Sequence, residues 1–186
     1  MGVSSSSKKA KTINKLKESK INLKVQILDN QIKSDYEEKE LTKLEIEKQQ
    51  LEFDIVQNQK SMSKIEQKNK ARILLDKIND SKRKEREIKN MTILSNTLKD
   101  NLQFIESKLE EIENEQNIKE ANLIIEEVGK MDLKKIYTIN YKMLIKNKEK
   151  DQTNMEVLKE GNDEFLSNNN DKVESVDDIL KRLLTK

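Results

Sequence analysis

The chain has 186 residues, 39% charged, 33% hydrophobic and 3% aromatic, with 37 basic and 35 acidic side chains for a net charge of +2. It contains no His and no Cys, which removes the usual general base, the thiolate nucleophile and any disulfide framework. With no Pro and only three Gly (Gly2, Gly129, Gly161), it has no glycine-rich phosphate loop, and its Glu, Lys, Leu and Ile content points to an all-α fold of long helices.

Residues 1–11 form a polar, basic head. Met1-Gly2-Val3-Ser4-Ser5-Ser6 fits the pattern for myristoylation of Gly2 after removal of Met1. The alternative is a Ser-rich disordered tail behind the initiator Met. One myristoyl chain binds a membrane only marginally, so stable attachment needs a second signal. Residues 1–34 supply it, with eight Lys against Glu18 and Asp29, a balance of +6. Each Lys near an anionic surface contributes about 1 kcal/mol. Lys8, Lys9, Lys11, Lys15 and Lys17 are the candidate membrane contacts. No Cys is present to carry palmitate.

The periodicity predicts a first helix from about Thr12 to the polar patch at residues 57–61. Its apolar residues are Ile13, Leu16, Leu23 and Ile27, then a heptad seam of Leu41, Leu44, Leu51, Ile55, Met62 and Ile65. A second helix is predicted over about 64–128, roughly 95 Å if unbroken at 1.5 Å per residue. Its seam of Ile88, Met91, Ser95, Leu98, Leu102, Ile105, Leu109 and Ile112 alternates spacings of three and four, with only Ser95 polar. Such a stripe suits one partner helix, so the two stretches predict an antiparallel hairpin with its turn between Gln57 and Lys70.

Gly129 is the predicted stop of the second helix and Asp132 the N-cap of a following short one, with Leu133, Ile136, Tyr137, Asn140, Met143 and Leu144 on one face. Residues 12–150 thus form the helical core. Residues 151–186 carry five basic and nine acidic side chains, a balance of −4, and comprise an Asn-rich linker and a short helix over 176–184. No stretch approaches the roughly 20 apolar residues that span a bilayer, and the polar N-terminus is no secretory signal.

Carboxylate pairs such as Glu110/Glu111 and Glu126/Glu127 stand among equal numbers of Lys and read as solvated helix faces. The expectation is a protein that is not an enzyme and holds no metal or cofactor. Nucleic acid is not an expected partner, because the basic head lacks interleaved aromatics and residues 35–150 balance 24 basic against 24 acidic side chains.

The order of elements resembles the ESCRT-III family, the charged multivesicular body proteins, and within it the myristoylated subunit type. Lys70-Ala71-Arg72-Ile73-Leu74-Leu75-Asp76-Lys77 is similar to that family's basic run early in the second hairpin helix. Phe104 through Asn122 resembles the distal part of the hairpin, with Ala121 where a Gly is common. Met131-Asp132-Leu133-Lys134-Lys135-Ile136 resembles the start of the following helix. The chain departs from the family at Asn79-Asp80, which replace a usual Tyr, and at Lys134 and Lys135, which replace acids.

The resemblance implies an ESCRT-III-like helical hairpin followed by short helices, peripheral on the cytoplasmic face of endosomes. It implies a role in membrane remodelling and multivesicular body sorting, on the route from late endosome to vacuole or lysosome. Partners would be anionic membrane, other ESCRT-III subunits, the upstream ESCRT-II complex and an AAA ATPase bearing an MIT domain. The Pro-containing motif with which this subunit type binds that domain is absent. Ile179, Arg182 and Leu183 resemble the other pattern, L-x-x-R-L-x-x-L, with Lys186 in its last place; an autoinhibitory or simply amphipathic tail is the alternative for the same helix. The alternative for the whole chain is a coiled-coil tether or scaffold dimerising through the Ile88–Ile112 seam.

Overall fold

The computed structural model describes residues 4–144, 146 and 174–185, and among them every regular element is an α-helix. These are α1 (Ser5–Gln57), α2 (Lys64–Asn114), α3 (Ile118–Lys130), α4 (Leu133–Thr138) and α5 (Val176–Leu184). The chain divides into two compact units, Met1–Ser34 with Asn90–Lys148, and Asp35–Lys89 with Glu149–Lys186.

In the first unit the early part of α1 lies antiparallel to the late part of α2. Lys17 bridges Glu113 at 2.9 Å, Lys20 bridges Glu106 at 3.1 Å, and Asn30 Nδ2 donates to the Met91 carbonyl at 2.8 Å. Leu16 and Leu23 of α1 are buried with Leu98, Ile105, Leu109 and Ile112 of α2. Every residue of the predicted second seam is buried or half-buried, Ser95 included. Each large side chain removed from water contributes about 1.5–3 kcal/mol.

The second helix is not continuous to Val128. It ends at Asn114, and α3 starts at Ile118 with Asn117 as N-cap, its side chain accepting from Lys119 N at 3.0 Å. Glu115 Oε1 accepts from Asn117 N at 2.7 Å. Side chains that bond the nearby backbone offer it an alternative to the helix, so no Gly or Pro is required for the break. Ala121, Ile124, Ile125 and Val128 then follow the i, i+3, i+4, i+7 spacing of one apolar face; Ala121 is buried, and the other three pack on the α1–α2 core.

Gly129 does not stop α3. The helix runs through Lys130, and Met131 ends it in an extended conformation at φ −83°, ψ 139°. Asp132 is the N-cap of α4, accepting from Lys135 N at 3.3 Å. Leu133, Ile136 and Tyr137 of α4 pack on the core, while Met143, expected on the same face, is exposed because α4 ends at Thr138.

In the second unit the remainder of α1 packs antiparallel to the start of α2. Asp54 bonds Lys70, Glu47 bonds Lys77, and Glu37 bonds Lys84. The turn occupies residues 58–63. Ser63 and Glu66 form a capping box, with Glu66 N donating to Ser63 Oγ at 3.2 Å and Ser63 N donating to Glu66 Oε2 at 2.8 Å. That S-x-x-E signature marks the turn that neither Gly nor Pro identified. Ile65, expected on the first seam, falls after the turn and is exposed.

Candidate functional site: a docked C-terminal helix and a basic face on α1

The second unit carries a helix delivered from far along the chain. α5 is amphipathic, with Val176, Ile179, Leu180, Leu183 and Leu184 on one stripe and Asp177, Asp178, Lys181 and Arg182 off it. Ser175 and Asp178 form a capping box, with Asp178 N donating to Ser175 Oγ at 3.1 Å and Ser175 N donating to Asp178 Oδ2 at 3.0 Å. Acids in its first turn and Lys181 and Arg182 in its last both suit the helix dipole. Local chemistry thus defines a short helix that would be marginal alone and needs a surface to cover its apolar stripe.

That surface is the α1–α2 pair. Ile179 has no solvent exposure and sits with Ile55, Ala71, Leu74 and Ile78. Leu51 and Leu75 flank it, and Val176, Leu180, Leu183 and Leu184 pack on the same cluster. Ala71 supplies the small side chain among larger ones. At the rim, Arg182 donates from Nε to Glu174 at 3.0 Å, and from Nη1 and Nη2 to Glu52 at 3.3 and 3.4 Å. Partial burial works against its charge, but Glu174 and Glu52 outweigh that and hold the guanidinium above its ordinary range. A shallow groove of about 450 Å³ beside this contact is lined by Phe53, Val56, Gln59 and Leu183 among others.

Ile179, Arg182 and Leu183 are therefore brought together, each against its own chain. While α5 is docked, the apolar stripe that an external helical partner would grip is occupied. The residues that receive it, Leu51, Ile55, Ala71, Leu74, Leu75 and Ile78, were legible as apolar positions but not as a docking surface.

In the first unit the basic residues lie on α1, which begins at Ser5, ahead of the predicted start at Thr12. Lys8, Lys11 and Lys15 are exposed and follow i, i+3, i+7 spacing on one face. Lys9 and Lys17 are engaged elsewhere. Lys9 Nζ donates to the Glu115 carbonyl at 2.8 Å, and Lys17 pairs with Glu113. Three of the five candidate membrane contacts thus form a free stripe, and two brace α1 against the end of α2. Gly2 and the linker before Glu174 lie outside the described residues.

Among the described residues no helix is long and apolar enough to cross a membrane, and no group of three or more acidic side chains is placed to hold a metal ion. No protein-family model matches the chain, and neither does any curated protein or solved structure.

Proposed function

We propose that this chain is an ESCRT-III-type assembly subunit acting on an anionic endosomal membrane, kept in a resting state by its own C-terminal helix. The observation that carries the reading is the docking of α5, with Ile179 fully buried against Ile55, Ala71, Leu74 and Ile78. A helix held through a linker on an α1–α2 surface is a displaceable cover. Its release would free both the hairpin surface for neighbouring subunits and the Ile179, Arg182 and Leu183 stripe for an MIT domain.

Membrane attachment in this reading rests on Gly2, as the acylated residue, and on Lys8, Lys11 and Lys15. The myristoyl chain and the lysines are each weak, and together they suffice. The upstream signal from ESCRT-II and the nucleation of filaments for multivesicular body sorting come from the family resemblance. The test compares the full chain with an Ile179→Asp variant on anionic vesicles. Assembly of the variant at lower protein concentration is the expected result, and identical assembly sinks the proposal. Gly2→Ala beside lipidated protein separates the anchor from the switch, since it should lower vesicle binding without changing assembly in solution.

The tether reading fares less well. From Leu98 to Ile112 the seam that would hold a parallel dimer packs in this structure against Leu16 and Leu23 of the same chain, with Ile13 and Ile27 beside them. Sedimentation velocity distinguishes the two, because a tether predicts an elongated dimer at every concentration.

A further inference from the structure

Within the first unit, α1 has a second apolar stripe that its own core does not use. Thr12, Leu16, Ser19, Leu23, Asn30 and Ser34 face inward and are buried. On the opposite side Ile21, Val25, Leu28 and Ile32 follow spacings of four, three and four, and are 62%, 56%, 62% and 60% exposed. Four large aliphatic side chains in one contiguous row are more than scattered surface hydrophobics, and such rows mark interaction sites.

The heptad chemistry of the row identifies its occupant. The spacing places Val25 and Ile32 at a, and Ile21 and Leu28 at d. Both a positions are branched at Cβ, and d holds Ile21 and Leu28; the full heptad from Val25 to Ile32, with its Leu28 at d, has the pattern that favours two parallel strands. The flanks agree. Lys24 falls at g and Asp29 at e, and in a parallel pair each g residue faces the following e residue of the other helix. Lys24 of each copy would therefore meet Asp29 of the other, twice per dimer. An antiparallel pair sets g flank against g flank and e flank against e flank, so no opposite charges meet. Lys24 is exposed and pairs with no described residue. Asp29 bonds Lys33 at 2.7 Å through Oδ2 alone, and both side chains are more than half exposed.

We propose that the Ile21–Ile32 face of α1 is a self-association seam, occupied by a second copy of this chain running parallel and in register. The seam spans fewer than two heptads, so the dimer is weak and concentration-dependent. It forms nonetheless because packing within the unit has already folded the helix, and association bears no nucleation cost. The inference does not rest on the membrane reading and stands or falls apart from it.

The test uses the full chain, whose lack of Cys makes any introduced thiol unique. Sedimentation velocity should show a monomer–dimer equilibrium in the micromolar range or above. Val25→Cys should cross-link to itself, and Leu28→Asn should abolish that cross-link. Lys24→Glu and Asp29→Lys should each weaken the dimer about threefold or more, and the double exchange should restore it. All these positions are exposed, so unchanged circular dichroism separates loss of the seam from loss of the fold. A chain that stays monomeric at every accessible concentration overturns the proposal. A dimer indifferent to the charge exchanges overturns it too, as does an Ile21→Asn/Leu28→Asn chain that loses vesicle binding while the parent chain never dimerises.

Discussion

Arg182 reaches back to Glu52, placing Nη1 at 3.3 Å and Nη2 at 3.4 Å from one carboxylate oxygen, although 130 positions separate the two residues in the chain. The contact closes the rim of the α5 docking site, yet it is not what holds the helix. Both partners are partly exposed, at 45% and 32%, and ion pairs in such positions contribute about 0–1 kcal/mol. Ile179, with no exposure at all, is worth more.

Two substitutions in α5 should therefore separate in effect. Arg182→Ala should leave the helix docked, with amide exchange over 176–184 nearly unchanged. Ile179→Ala should weaken docking by about 2–5 kcal/mol, the range for truncating a buried aliphatic side chain. Exchange protection over those residues should then fall by orders of magnitude, while protection in the first unit is unaffected. Equal loss of protection in both variants would mean that the rim pair, not Ile179, holds the helix.

Stability should be flat across neutral pH and fall at both extremes. No His is present to titrate near neutrality. The Lys70 ammonium, and then the Asn58 amide, hold Asp54 below the ordinary carboxylate range, and hydrogen bonds from the Ser63 backbone and hydroxyl do the same for Glu66. A carboxylate with a lowered folded pKa stabilises fully above its unfolded value and loses that contribution as pH falls through the folded one. Stability should thus decline below about pH 4.5. Lys84 is raised by its hydrogen bond to Glu37, and Lys108 by its bonds to Glu111 and Glu127. Their contribution is complete below the unfolded lysine value and is lost as pH rises through the folded one, so the alkaline decline should begin above about pH 10. Urea midpoints across this range check both edges, and a transition between pH 6 and 8 would contradict the assignment.

Gly129→Ala should stabilise the protein. The residue lies within α3, and nothing within 4 Å would meet an added Cβ. Removing the unfolded-state freedom of a helical glycine is worth about 0.5–1 kcal/mol. A raised melting temperature is the expected result. A lowered one would show that Gly129 does act as a stop.

Ser81→Ala and Ser95→Ala should be neutral or mildly stabilising. Both hydroxyls are buried and have no hydrogen-bond partner among the described residues. Leaving a buried hydroxyl unpaired costs about 1–3 kcal/mol, and replacing it with a methyl-sized side chain removes that cost. Chemical denaturation of the single variants reads the change directly, and a loss above about 1 kcal/mol in either would point to a partner for that hydroxyl.

Much of the secondary structure could be read from the chain alone. The three-four alternation from Ile88 to Ile112 predicted a seam that is buried or half-buried at every position, because a heptad stripe is covered best by another helix. Asp132 as a cap and the helix over 176–184 were legible because capping is local, settled by a side chain and the backbone amides within one turn. The break at residues 115–117 has no clear mark in the sequence, although Asn117 caps the helix that follows. An Asn can cap or sit mid-helix, and its neighbours in space choose between the two.

The antiparallel pairing of the two long helices followed from their seams, but the fate of individual side chains went beyond the pattern. Leu23 and Val25 are two positions apart and equally apolar, yet one is fully buried and the other more than half exposed. The apolar set read from early α1, Ile13, Leu16, Leu23 and Ile27, is the one α2 covers, while the Ile21–Ile32 row on the other side has no signal of its own in the pattern. For Ile179 the sequence leaves an outside partner and an autoinhibitory tail both open, and in the fold it packs on Ile55 and Leu74. The reason is common to both cases. Hydrogen bonds and caps act over a few residues and are written in order along the chain, whereas apolar burial is non-directional and goes to whichever surface the folded backbone brings near.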